Sequence, residues 1–128
     1  LKIRLHHGLP IVSLTLTHNN QLVSLPNELF DTGCAATIFD TDLLAQIGIH
    51  IDFIQGRAIR MYGVGGTSEL CYEQIIPRLY IDQIQLDSFP IQLGAVQDSY
   101  GFDGILGIDY MIKAKFKADF GTMQLSYS

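Results

Sequence analysis

The stretch Leu29-Phe30-Asp31-Thr32-Gly33-Cys34-Ala35-Ala36-Thr37-Ile38-Phe39 sets one acidic side chain between two apolar runs. Leu29 and Phe30 read as the end of one buried strand, and Ile38 and Phe39 as the start of another. Asp31 therefore falls at the mouth of the core. A carboxylate there loses hydration and needs groups that hold its charge. Thr32 offers a hydroxyl, and Gly33 permits a turn closed to other residues, which aims amide donors at the carboxylate. On this reading the segment is a carboxylate holder. The plain alternative is a strand-ending turn, which Asp and Gly favour in any protein. A chain of this composition yields Asp-Thr-Gly by chance in roughly one sequence in twenty.

Outward from this segment the dominant period is two. Val12, Leu14 and Leu16 alternate with Ser13, Thr15 and Thr17, the pattern of a half-buried strand. His18-Asn19-Asn20 supplies a turn, and Gln21 to Leu25 begins the return strand. Ile84 and Leu86 share one parity, whereas Phe89, Ile91 and Leu93 share the other, so a bulge or corner is expected near Ser88. At the far end, Phe116, Ala118 and Phe120 alternate with Lys115, Lys117 and Asp119. After Gly121-Thr122, Met123, Leu125 and Tyr127 alternate with Gln124 and Ser126, which predicts a hairpin. Two short helices are expected. One runs from Thr41 to Ile47, capped by Asp40 or Thr41 and ended by Gly48. The other follows Gly107, with Asp109 as cap and Tyr110 to Ala114 as body. Ala95 to Tyr100 reads as a long loop. The sum is an all-β chain of many short strands, a single domain over residues 1–128.

Two further segments bear on Asp31. Met61-Tyr62-Gly63-Val64-Gly65-Gly66-Thr67-Ser68 places three glycines at a hairpin tip, where the backbone can approach an extended ligand closely; read plainly, it is a Gly-rich turn. Phe102-Asp103-Gly104-Ile105-Leu106-Gly107-Ile108-Asp109 is a short apolar strand running into a glycine and a helix. Ile105 and Leu106 either back the Asp31 loop or serve as core packing, and both can hold.

Composition narrows the classes. Hydrophobic residues make up 48% of the 128, enough to build a core without crosslinks. A net charge of −5 speaks against nucleic acid as a partner. No apolar run is long enough to span a bilayer. Cys34 and Cys71 are too few for a disulfide framework or a zinc site, and fit a reduced intracellular compartment. His6-His7 reads as a tag remnant or an edge-strand pair. Leu1 is not a Met, which leaves room for an upstream segment, a membrane anchor or a larger parent protein.

Taken in order, Asp-Thr-Gly, the Gly-rich hairpin and the apolar-apolar-Gly before a helix resemble the retropepsin family of aspartic peptidases. The resemblance runs from about Pro10 to Ala114. It implies a small closed acid-protease β-barrel with one or two short helices, assembled as a symmetric homodimer without cofactor or metal. It also implies an endopeptidase in which Asp31, Thr32 and Gly33 form the catalytic turn. Tyr62, Gly63, Val64, Gly65 and Ala35 would contact an extended peptide or protein substrate, with Ile59, Leu93 and Ile105 beside Val64 as apolar pocket residues. In that family two carboxylates share one proton around a water. This chain holds one Asp-Thr-Gly, because Asp98-Ser99-Tyr100-Gly101 puts Tyr100 where the glycine must turn. The second carboxylate would come from a second copy, with Thr32 bracing the partner's loop. The alternative is a non-catalytic dimeric peptide-binding module that keeps the fold.

There are departures. Retroviral members carry an acidic residue where this chain has Ala35 and an Arg where it has Ile108; losing both leaves no orphan charge. The hairpin from Lys115 to Tyr127 is longer than their terminal strand and resembles retrotransposon and some bacterial relatives. Cys34 stands where the family has Ala or Ser, either as a small buried residue or as a redox brake on the site.

Overall fold

The computed structural model describes residues 1–62 and 68–127. The first half holds β1 (Arg4–His6), β2 (Leu9–His18), β3 (Gln21–Phe30), β4 (Ile38–Asp40), α1 (Thr41–Ala45) and β5 (Arg57–Tyr62). There follow β6 (Ser68–Ile81), β7 (Ile84–Gly94), α2 (Val96–Tyr100), β8 (Gly104–Leu106), α3 (Ile108–Ala114), β9 (Lys117–Asp119) and β10 (Gln124–Ser126). Eight strands form one sheet in the order β1-β2-β3-β8-β4-β7-β6-β5. Pairing of Leu16 with Ile81 and Thr17 with Tyr80 joins β2 to β6 and bends the sheet into a ring.

The β2–β3 hairpin turns through Asn19 and Asn20, both at positive φ, as a two-residue turn requires. Its register then slips. Val12 faces Glu28 but Leu14 faces Leu25, so two β3 residues, Pro26 and Asn27, oppose Ser13 alone. This β-bulge has a large consequence. Val23 and Leu25 point inward, and unbroken alternation would send Asn27, Leu29 and Asp31 after them. The extra residue reverses the parity: Glu28 and Phe30 are buried, and Asp31 emerges half-exposed.

The expected irregularity at Ser88 is a corner rather than a bulge. Ser88 sits at φ 52, and the register is unchanged on either side, Ile76 facing Phe89 and Arg78 facing Asp87. Pro77 stands opposite, where it has no N–H to lose from the ladder.

β8 lies between β3 and β4, parallel to the first and antiparallel to the second. The core fills the ring with Leu14, Leu16, Leu25, Leu79, Leu86 and Ile91. Tyr110, Met111 and Ala114 of α3 pack against them. Ile38, Val96 and Ile105 form a smaller cluster.

The helices depart from expectation in three ways. α1 stops at Ala45, with single tight turns carrying the chain to Gly48, and Asp40 is its N-cap. α3 starts at Ile108 with Gly107 as N-cap, so Asp109 lies inside the first turn, where its Oδ1 accepts from Tyr110 N at 2.7 Å. Residues expected as a loop form α2, which ends at Gly101 with φ 76. Five residues with only Val96 buried carry no readable period.

The C-terminal hairpin is present, β9 against β10, and residues 1–3 run antiparallel to β10 on its other side. Tyr127 donates to Asp82 Oδ2 at 2.8 Å, fastening the hairpin to the β6–β7 turn. The expected apolar face is only partly covered. Leu125 is buried and Phe116 packs edge-on to Tyr110 and Tyr127, but Ala118 and Phe120 lie exposed.

Candidate active site

Asp31 ends β3 and is fixed from three sides. Its N–H donates to Leu106 O at 3.1 Å, so β8 backs the loop directly. Its carbonyl accepts from Cys34 N at 3.2 Å, closing the turn. Its side-chain Oδ1 accepts from Gly33 N at 2.9 Å. Thr32 and Gly33 are exposed beside it. A carboxylate is thus presented at the surface with one oxygen oriented by a backbone amide.

Behind the turn lies a second set of bonds. Gly107 N donates to Thr37 Oγ1 at 3.1 Å, and that hydroxyl donates to Asp109 Oδ1 at 2.7 Å. Thr37 N donates to Asp109 Oδ2 at 3.2 Å, and Ile108 N to Cys34 O at 2.8 Å. The Thr37 hydroxyl thus holds the amide of the N-cap residue, Gly107, while Asp109 Oδ1 takes the first-turn amide of Tyr110 that an N-cap side chain takes elsewhere. Gly107 has none, because a Cβ there would sit 2.8 Å from backbone atoms of Cys34 and Ala36. Ala35 and Ile108, where an ion pair stands in retroviral proteases, make no such link here; Thr37 and Asp109 join the turn to the helix instead. Thr37→Val should leave the Gly107 amide without its acceptor and cost about 1–3 kcal/mol of stability in urea unfolding, with Thr37→Ser recovering most of it.

Clefts open on both sides of the turn. One of about 340 Å³ is lined by Leu9, Pro10, Leu29, Phe30, Asp31, Thr32 and Phe120. Another of about 350 Å³ is lined by Gly33, Cys34, Ala35, Ala36, Ile38, Ile59, Arg60 and Gln92. The second brings the Asp31 turn to the β5–β6 hairpin, whose arms pair as far as Tyr62 with Ser68. Gly63, Val64 and Gly65 lie outside the described residues. Ala35 and Ile59 line this cleft; Leu93 does not, being fully buried inside the ring, and Ile105 is buried with Ile38 and Val96.

No family model matches the chain, and no curated protein does. Its chemistry rests on its own residues. Among those described, no group of His, Cys, Asp and Glu is placed to hold a metal ion, and no helix is long and apolar enough to cross a membrane. No disulfide joins Cys34 and Cys71. Burial pushes the Cys34 thiol up, and the Asp31 and Asp109 carboxylates push the same way against its bond to Ala36 O. A thiol so held is a weak nucleophile, which favours the small-residue reading over the redox one. Sequence reasoning missed Asp109 as a brace and Glu28 as a buried acid, since both depend on partners distant in the chain.

Proposed function

We propose that this chain is an aspartic endopeptidase that acts as a homodimer, in the manner of the retropepsins it resembles. The reading rests on one observation: a single half-exposed carboxylate, Asp31, oriented by Gly33 N and bordered by apolar side chains left uncovered. Leu9 is 44% exposed, Phe120 60% and Ile112 70%. A cleft of about 300 Å³ between Thr32, Ile112, Phe116 and Ala118 continues this border. A second copy docked there would bury the apolar rim and set two Asp31 carboxylates side by side.

Two carboxylates at that separation share one proton. The ionised one takes a proton from the water between them as the water oxygen attacks the scissile carbonyl carbon. The protonated one donates to the carbonyl oxygen. Collapse of the tetrahedral species breaks the C–N bond, the amine leaves with a proton, and no covalent enzyme intermediate forms. The substrate would lie extended in the cleft between the Asp31 turn and the β5–β6 hairpin, adding its backbone as a strand.

The test joins assembly to activity. The chain should be a dimer at micromolar concentration and cleave a mixed-sequence peptide library, with specific activity falling on dilution. Phe120→Asp should weaken self-association by about 30-fold or more, measured by sedimentation, and reduce cleavage in step. A chain that stays monomeric at high concentration, or dimerises without cleaving any peptide, removes the peptidase reading; the latter outcome leaves a peptide-binding module.

A further inference from the structure

The β3 bulge drives Glu28 into the protein, and nothing among the described residues receives it. Its side chain is 0% exposed, and neither carboxyl oxygen has a hydrogen-bond partner. The space it fills is made by Gly104, its partner across the β3–β8 ladder, where a Cβ would lie 2.7 and 2.8 Å from the two oxygens. Glu28 therefore sits inside the seam that also carries Asp31, whose N–H bonds to Leu106 O of β8.

We propose that the β3–β8 seam is a pH-sensitive element with Glu28 as its sensor: it holds in acid and loosens as the solution becomes neutral and alkaline. This goes beyond the peptidase reading and does not depend on it.

Among the described residues the surroundings offer no counter-charge. From β2 the facing residue is Val12, and from β8 it is Gly104. The charged group acting on Glu28 is Asp103, itself 5% exposed, committed to Asn27 N and to Gln97 Nε2 from α2. Asp40, ending β4, accepts from Leu43 N and Gln97 N. The nearby cation on β1, Arg4, is bound to Pro26 O and the Asn27 side chain. Burial first, and the Asp103 charge second, raise the Glu28 carboxyl well above its ordinary 4.5. A carboxyl raised on folding favours the folded state fully below the unfolded value, and that contribution is lost as pH rises towards the folded one. An ionised Glu28 needs water, which reaches it when the seam parts.

The experiment is urea unfolding of the full chain and of Glu28→Gln across about pH 4.5 to 8. Relative to the variant, the wild-type folding constant should fall about tenfold per pH unit from the ordinary glutamate value upward. Parallel profiles overturn the proposal. Should Glu28→Gln fail to fold, infrared spectroscopy of the wild type decides: a protonated carboxylic acid band at about pH 7 is expected, and its absence overturns the proposal. Amide exchange, corrected for its intrinsic pH dependence, should quicken with pH at Leu29 to Asp31 and Ile105 more than in α1. A uniform increase removes the seam from the account.

Discussion

If the chain is the peptidase proposed, Asp31→Asn should lower peptide hydrolysis by at least about 10³-fold while solution mass and unfolding midpoint stay close to wild type. The asparagine has the same shape, and its Oδ1 still accepts from Gly33 N, the side-chain bond that orients this residue. Nothing in the packing changes, because Asp31 is half-exposed and its backbone bonds to Leu106 and Cys34 do not involve the carboxylate. What disappears is proton exchange. An amide neither takes a proton from water nor shares one with a neighbouring acid. Turnover of the best library peptide, measured beside the wild type, is the readout. Undiminished hydrolysis by the variant assigns the chemistry to another group or to a contaminant.

The second large effect is expected at Gly107. An alanine there places its Cβ 2.8 Å from three backbone atoms, the carbonyl carbon and oxygen of Ala36 and the oxygen of Cys34. Backbone does not swing aside as a side-chain end does, so the turn from Asp31 to Thr37 must move as a unit. Overpacking of this kind costs about 1–3 kcal/mol. Displacing the carboxylate by even a fraction of an ångström should cost about 10²-fold in turnover. Gly101→Ala is the control. It has φ 76 and open space around it, so it carries a backbone penalty of about 1–2 kcal/mol without moving the turn. Stability losses of similar size with turnover lost only at Gly107 would tie the close approach to the site. Equal turnover in both variants would sever that tie.

What the sequence disclosed follows from which forces were local. Asp31-Thr32-Gly33 is legible because the turn is made by adjacent residues, and the Ser88 corner because two parities meet there. The backing of Asp31 by Leu106 was legible through an apolar triplet ending in glycine. Asp109 reads as the cap from sequence and does take the Tyr110 amide, but α3 opens two residues earlier at Gly107, and the tie of Asp109 to Thr37, 72 residues away, left no local trace. Gly107 holds the N-cap position without a side chain, which the approach of Cys34 and Ala36 denies it. Glu28 passed unnoticed for a related reason. Strict alternation gives the strand one parity, and only the two-against-one pairing of Pro26 and Asn27 with Ser13 reverses it. α2 was hidden by its brevity.

The placement of β8 between β3 and β4 dictates an order of events. The two strands it separates are made early, yet in the sheet the strand paired between them comes from some 70 residues later in the chain. During synthesis, the turn at Asp31 has no wall behind it until that segment has left the ribosome and slid into the gap. Long-range closure of this sort is slow and comes late. A nascent or truncated chain ending before Leu106 thus lacks the carbonyl that holds the Asp31 amide, and the turn that carries this acid has no strand to rest on.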